Sequence, residues 1–181
     1  MTTSSIRIFA GSLAKQRIAE YGLQAADVAV IPAAAGGPKG LILQKLDQWL
    51  FGSWLPQAPR ERTLIGASIG SWRMAAAACA DPVAGFQRLG DLYCGQTYPE
   101  NPDTDCVTRE ISGMLDQLIG GYEPEILRNP SYRLHILTNR GLRHLQTANS
   151  LSAEKTAFAR AALANLRGRD HLAAHLERVV F

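Results

Sequence analysis

The chain has 181 residues, of which 46% are hydrophobic and 19% are charged. This composition supports one sizeable core and excludes a disordered or fibrous chain, and the length fits one domain better than two. Lys and Arg number 19 against 16 Asp and Glu, and a formal net charge of +3 gives no support for nucleic-acid binding.

The start of the chain shows no sign of a secretion signal or a membrane span. Residues 1–5 are polar, and polar and apolar residues alternate over residues 6–14. We therefore expect a soluble, cytoplasmic protein. Cys79, Cys94 and Cys106 form no C-x-x-C pair, which predicts free thiols rather than disulfides or a zinc site.

Strands and helices alternate along the first half of the chain. Residues 27–33 form an apolar run that predicts a short buried strand, followed by a Gly-rich loop at residues 36–40. From Leu41 apolar residues recur at helical spacing to about Gly52. Residues 62–67 predict a second buried strand, and the alanine-rich run 72–80 predicts a helix packed on the sheet.

Capping residues indicate where two later helices begin. Asp81, followed by Pro82, is typical of a helix start, because aspartate caps and proline suits the first turn. Thr104 or Asp105 is expected to cap a further helix, which the glycines after residue 119 end.

The last third of the chain predicts one more strand and two helices. Residues 132–138 predict the strand, Ser152 with Glu154 opens a helix to about Leu166, and residues 170–178 have a helical pattern. The alternation predicts an α/β fold, a three-layer sandwich with a central, mostly parallel sheet flanked by helices.

The chain ends on the apolar triplet Val179, Val180 and Phe181. Its β-forming pattern predicts the opening of another strand. We therefore expect residues 1–181 to be one α/β domain that is incomplete at its carboxyl end.

Residues 66–70 form a G-x-S-x-G pentapeptide centred on Ser68, between a predicted strand and a predicted helix. Such a turn presents the serine hydroxyl above the sheet edge, and Gly66 and Gly70 leave room for it. The amide of Ile69 can then point at a developing oxyanion. The alternative is a chance match in which Ser68 merely caps the helix.

A second motif lies upstream, where Gly36, Gly37, Lys39 and Gly40 follow the first predicted strand. Together the two motifs resemble patatin-like phospholipases, whose D-G-G-G-x-[RK]-G loop precedes a G-x-S-x-G serine in this order. Alanines at positions 34 and 35 replace the Asp and the first Gly of that loop.

The resemblance implies a serine lipid acyl hydrolase that cleaves carboxyl esters through an acyl-Ser68 intermediate, without a metal or other cofactor. The amides of Gly36 and Gly37 would join that of Ile69 in the oxyanion hole. Lys39 would steer an anionic head group or anchor the loop. The alternative is a solvated lysine without a role in the site. A nucleotide-binding P-loop is disfavoured, because Gly40 and Leu41 follow the lysine.

The resemblance also implies a Ser-Asp dyad, with the aspartate in a D-G motif late in the domain. None of the aspartates in these 181 residues is followed by glycine. We expect the dyad segment to lie beyond residue 181, and we expect the 181 residues alone to be inactive or severely impaired.

Several alternatives remain open. The rival enzymes are an acyltransferase or a Ser-His-Asp esterase, and a degenerate non-catalytic domain is the rival outside enzymology. His171 and His175 lack the Glu of H-E-x-x-H, so no metal site is predicted. An aromatic-rich patch favours core packing over transient contact with a membrane surface, and comprises Trp49, Leu50, Phe51, Trp54 and Leu55. An exposed sheet edge would favour a homo-oligomer.

Overall fold

A four-stranded open sheet organises the chain. The computed structural model describes residues 8–148 and 150–181. The strands are β1 (Val30–Ala33), β2 (Arg62–Ala67), β3 (Tyr132–Gly141) and β4 (Leu176–Val180), in that spatial order. β1, β2 and β3 are parallel, and β4 is antiparallel to β3. The predicted α/β class with a mostly parallel sheet is confirmed.

Helices connect the strands, and most lie between β2 and β4. They are α1 (Ser12–Tyr21), α2 (Gln44–Trp49), α3 (Ile69–Ala77), α4 (Pro82–Cys94), α5 (Thr104–Ile119), α6 (Glu123–Leu127), α7 (His144–Thr147) and α8 (Leu151–Arg167). A 3-10 turn over Gly37–Leu43 precedes α2, and a π turn over Leu50–Trp54 extends it. The helix predicted from Leu41 therefore begins as a tighter turn.

One face of the sheet is the core face. Along β2, Arg62, Leu64 and Gly66 are buried, whereas the residues between them are only half-buried. Helix α3 packs on the first three strands, and the core between helices and sheet is dominated by Phe51, Leu55, Leu64, Phe86, Leu89 and Leu118. The opposite face of the sheet is half-exposed. A three-layer sandwich, in which helices cover both faces of the sheet, therefore stays a prediction.

The predicted helix caps are right for α4 and shifted for α5 and α8. The Asp81 side chain accepts a hydrogen bond from the amide of Ala84 at 3.0 Å, as expected. For α5 the cap is Asp103, which accepts from Cys106 N at 2.6 Å, rather than Thr104 or Asp105. Ser150, not Ser152, caps α8. Several residues that can cap a helix lie near the start of each of these two helices. The sequence alone therefore does not determine which one accepts the hydrogen bond from the amide three residues further on.

The helix predicted over residues 170–178 is wrong, whereas the strand predicted at the end of the chain is confirmed for Val179 and Val180. Residues 170–178 were expected to be helical, but Arg169–Ala174 is a short 3-10 turn and β4 follows it. The β-branched residues at the end of β4 pair with β3, and Phe181 exchanges two backbone hydrogen bonds with Ile136 at 2.9 and 3.0 Å. Strand pairing therefore outweighs the local helical pattern.

The amino-terminal region holds a helix that the sequence analysis did not predict. Helix α1 buries none of its residues, and a hydrogen bond from Arg17 Nε to Asp27 Oδ1 at 2.8 Å attaches it to the turn before β1. The Asp27 carboxylate has a pKa below its usual range, chiefly because of that hydrogen bond. The polar residues 1–5 lie outside the described residues.

Candidate active site

Ser68 lies alone in the turn between β2 and α3. Its backbone has φ 54° and ψ −128°, a region that L-amino acids rarely adopt and that costs about 1–3 kcal/mol. Arg143, before α7, shares this conformation with φ 53° and ψ −120°. Strain alone therefore does not identify a nucleophile, and the surroundings of Ser68 must do so.

The glycines on either side of Ser68 make the turn possible. A Cβ atom at Gly66 would lie 2.4 Å from the Cα of Ser71, and one at Gly70 would lie 2.0 Å from the carbonyl oxygen of Ala33. Both contacts are with backbone, which has no easy way to move aside. The spacing of the pentapeptide is thus a steric requirement of the turn.

The hydroxyl of Ser68 does not cap the helix that follows it. Although Ser68 occupies the N-cap position of α3, its side chain accepts no hydrogen bond from the first turn. The residue is exposed. The alternative in which this serine serves only as a helix cap is therefore wrong.

The Gly-rich loop and the serine turn meet at the same edge of the sheet. Ala33, the last residue of β1, pairs with Gly66 near the end of β2, and the two strands run parallel. Gly70 packs directly against the Ala33 carbonyl, so the loop leaves β1 beside the first turn of α3. The two motifs therefore lie at adjacent strand ends.

Ser68 opens onto a cavity of about 270 Å³. Aromatic, aliphatic and polar side chains all line the cavity, which is formed by Gly37, Ser68, Ile69, Trp72, Tyr93, Gln96, Tyr98, Ile111 and Met114. Gly37 and Ile69 are each the first residue of a helical turn, where a backbone amide has no acceptor within the helix. Such amides are available to a ligand in the cavity.

The other predicted site residues do not line the cavity. Gly40 packs against the Ile69 side chain, because a Cβ atom there would lie 3.0 Å from Ile69 Cγ2. Gly36 and Lys39 are exposed and do not line the cavity. Of the predicted residues, the structure thus brings Gly37, Ser68 and Ile69 together.

A general base is not found beside Ser68 among the residues that the structure describes. Among residues 8–148 and 150–181, no aspartate, glutamate or histidine lines the cavity. His135 lies on the half-exposed side of β3, and His144 is the first residue of α7. His171 is in a 3-10 turn and His175 follows it, so the helix predicted over residues 170–178 does not hold these two histidines.

A buried ion pair joins α2, which follows the Gly-rich loop, to α3, which follows Ser68. The sequence did not predict it. Arg73 on α3 donates to both carboxylate oxygens of Asp47 on α2, each at 2.8 Å. Burial raises the pKa of the Asp47 carboxyl, and the two hydrogen bonds from Arg73 oppose that rise. The partners are 26 residues apart. Arg73 stands in the apolar run 72–80, but Asp47 has polar neighbours, so the sequence carries a signal for Arg73 alone.

The aromatic-rich patch divides between core and surface. Phe51 and Leu55 are core residues, and Phe51 packs against Phe86 and Tyr132. Trp49 remains 52% exposed and stacks on Trp54. Contact with a membrane surface therefore stays a prediction for the Trp49 side only. No helix in residues 8–148 and 150–181 combines the length and apolarity needed to cross a bilayer.

Comparisons with family models, with curated proteins and with solved structures find no match to this chain. The candidate site therefore rests on the residues and geometry given above.

Proposed function

We propose that the chain is the nucleophile-bearing part of a patatin-like, cytoplasmic serine acyl hydrolase that cleaves carboxyl esters of lipids. The observation that carries the proposal is the shared cavity of Ser68 and Gly37, with Ser68 held in a strained strand-to-helix turn. The order and spacing of the Gly-rich loop and the pentapeptide support it.

In the proposed mechanism the Ser68 hydroxyl oxygen attacks the ester carbonyl carbon. The amides of Gly37 and Ile69, with help from Gly36, stabilise the resulting oxyanion, and preorganised donors of this kind are worth about 3–4 kcal/mol each. The alcohol leaves, and water then releases the acyl group from Ser68. The proton of Ser68 goes to a carboxylate base, which we propose to be supplied from outside the described residues.

The observation that favours a different reading is the lack of an acid or imidazole among the described residues lining the cavity. It supports a degenerate domain that binds acyl compounds without turning them over. It also disfavours a Ser-His-Asp esterase built from the histidines described above. A transferase would use the same acyl-Ser68 intermediate with an alcohol in place of water.

Labelling with a fluorophosphonate probe tests the proposal. Without a base the reaction should be slow, yet an oxyanion hole alone retains about a 10³-fold advantage. Ser68 should therefore label about 10³ times faster than Ser53, an exposed serine outside the cavity. Peptide mass spectrometry measures both, and Ser68→Ala is the control.

Equal labelling of Ser68 and Ser53 would contradict the proposal. Ester hydrolysis by the 181 residues alone should be severely impaired, no more than about 10³-fold above the uncatalysed rate, because a serine without a base is a weak nucleophile. Faster turnover that Ser68→Ala abolishes would show that a base is present and that this part of the account is wrong.

A further inference from the structure

Each half of the proposed oxyanion hole is continuous with one partner of the buried ion pair. Gly37 begins the helical segment that runs through the 3-10 turn into α2, which carries Asp47. Ile69 begins α3, and Arg73 lies four residues further along that helix. Residues four apart share one face of a helix. The position of Gly37 relative to Ile69 therefore depends on how the turn and α2 lie on this face of α3.

Gly40 brings the 3-10 turn into direct contact with the same face. A Cβ atom at Gly40 would lie 3.0 Å from Ile69 Cγ2 and 3.4 Å from Arg73 Cδ. A side chain at position 40 would crowd both residues, so the turn lies close against α3. Apolar contact of this kind has no preferred direction, and it sets the separation of the two elements but not their orientation.

The ion pair supplies the orientation. Nε and Nη2 of Arg73 donate to the two carboxylate oxygens of Asp47, each at 2.8 Å, and this fork geometry fixes angle as well as distance. Leu41, Phe86 and Leu89 line the same gap as the two side chains, and the gap has no room for a water molecule. Water therefore does not take the place of either partner.

Stability alone does not account for this pair. Two charges lose their hydration on burial, and apolar residues of similar volume are often as stabilising as a buried ion pair, or more so. An apolar replacement would hold α2 against α3 without fixing how the two helices are rotated. The ion pair is therefore suited to an arrangement in which small displacements matter.

We propose that Asp47 and Arg73 are positioning residues of the active site, whose bidentate ion pair holds the amide of Gly37 beside that of Ile69. The inference rests on the proposed function for the role of these two amides. Oxyanion donors act only within hydrogen-bond distance of one oxygen atom, and a displacement of about 1 Å can slow a reaction about 100-fold. Neither side chain of the pair lines the Ser68 cavity, so both act through the backbone.

The double variant Asp47→Leu/Arg73→Met separates positioning from stability. Its urea midpoint should stay close to that of the native chain, because both charges are removed together. Labelling of Ser68 by a fluorophosphonate, measured against Ser53 in the same molecule, should nevertheless fall about 100-fold. The loss should appear in the limiting rate at saturating probe rather than in the half-saturating concentration, because the cavity lining is unchanged.

Two further variants make the comparison specific. Glu61→Gln/Arg133→Gln removes an exposed ion pair of 2.7 Å and should leave the ratio of Ser68 to Ser53 labelling within about twofold of the native value. Arg73→Lys keeps the positive charge but loses the fork geometry, so this ratio should fall about tenfold or more. It serves as the second test if the double variant does not fold. A native ratio in Arg73→Lys or in the folded double variant would overturn the proposal.

Amide NMR tests the positioning without any reaction. The backbone amide signal of Gly37 should shift or broaden in the double variant, because the turn then takes several positions on α3, and it should stay in place in Glu61→Gln/Arg133→Gln. An unchanged Gly37 signal in the double variant would overturn the proposal. If Ser68 of the native chain labels no faster than Ser53, the hydrolase is removed and the NMR signal alone decides the positioning. Fast labelling in both the native chain and the double variant would keep the hydrolase and remove the positioning role.

Discussion

Ser68 combines an unfavourable backbone conformation with an exposed hydroxyl. Its backbone conformation is strained. The close packing of Gly66 against Ser71, and of Gly70 against Ala33, holds the backbone in that conformation. Nothing in the capping of α3 requires a serine there. We infer that the strain serves to present the side chain.

Substitution at position 68 measures this strain. Glycine adopts positive φ freely, so Ser68→Gly should raise the free energy of unfolding by about 1 kcal/mol, after allowing for the greater entropy of unfolded glycine. Ser68→Ala keeps the strain and should stay within about 0.5 kcal/mol of the native chain. Urea unfolding compares the two variants. A Ser68→Gly chain no more stable than Ser68→Ala would contradict a strained turn.

At the residue scale, the sequence predicts residues that belong to short motifs. Ser68, Gly66 and Gly70 follow from the pentapeptide, and Gly37 follows from the loop. Asp47 with Arg73, and Gln96 with Met114, were missed because each pair is distant in the chain. Arg62 was also missed: it is 2% exposed and donates only to backbone carbonyls, those of Val28, Arg60, Ala25, Leu55 and Ala58.

The ion pair between α2 and α3 fixes the element that follows the Gly-rich loop against the helix that follows Ser68. Its two side chains are 10% and 5% exposed, so neither charge has much access to water. Arg73 also passes Gly40, where a Cβ atom would lie 3.4 Å from Arg73 Cδ. The relative position of loop and nucleophile therefore depends on this contact.

Removal of one partner should be costly. Arg73→Met leaves the Asp47 carboxylate buried without its partner and should lower the free energy of unfolding by about 3–5 kcal/mol. The double variant Asp47→Leu/Arg73→Met should recover most of that loss. Glu61→Gln is the control, because the Glu61–Arg133 pair is exposed and should matter by less than about 1 kcal/mol. Additive losses in the double variant would contradict the pairing.

The stability that Arg73→Met loses should depend on pH. Burial raises the pKa of Asp47, and Arg73 opposes the rise, so Arg73→Met should raise that pKa further. A carboxyl whose pKa is higher in the folded state favours folding while protonated and loses that contribution as the pH rises. The deficit of Arg73→Met in urea unfolding should therefore grow from about pH 4 to about pH 7.

At the element scale, the sequence predicted the strands and helices that short local patterns mark. β2 and α4 were predicted with correct starts, because a bounded apolar run marks one and an Asp-Pro pair marks the other. Residues 176–178 of β4 were predicted as helix, since their place depends on pairing with β3, whereas the strand predicted at the end of the chain is confirmed for Val179 and Val180. Helix α1 was missed, and it buries no residue that would give it a clear apolar face.

Across the whole molecule, the parallel order of β1, β2 and β3 brings the strand ends that carry both motifs to one edge. Ligands of open α/β sheets bind outside the carboxyl ends of the strands. The sequence predicted this class and the order of the two motifs along the chain. It did not predict the cavity wall from α5, because packing of α5 on α4 and α3 brings it there.

The most direct measurement is a crystal structure of the chain after its reaction with a small fluorophosphonate. The account predicts phosphorus bonded to Ser68 Oγ, with one phosphonyl oxygen about 2.7–3.1 Å from the amide nitrogens of both Gly37 and Ile69. An adduct on another residue, or a phosphonyl oxygen directed into solvent away from both amides, would contradict it.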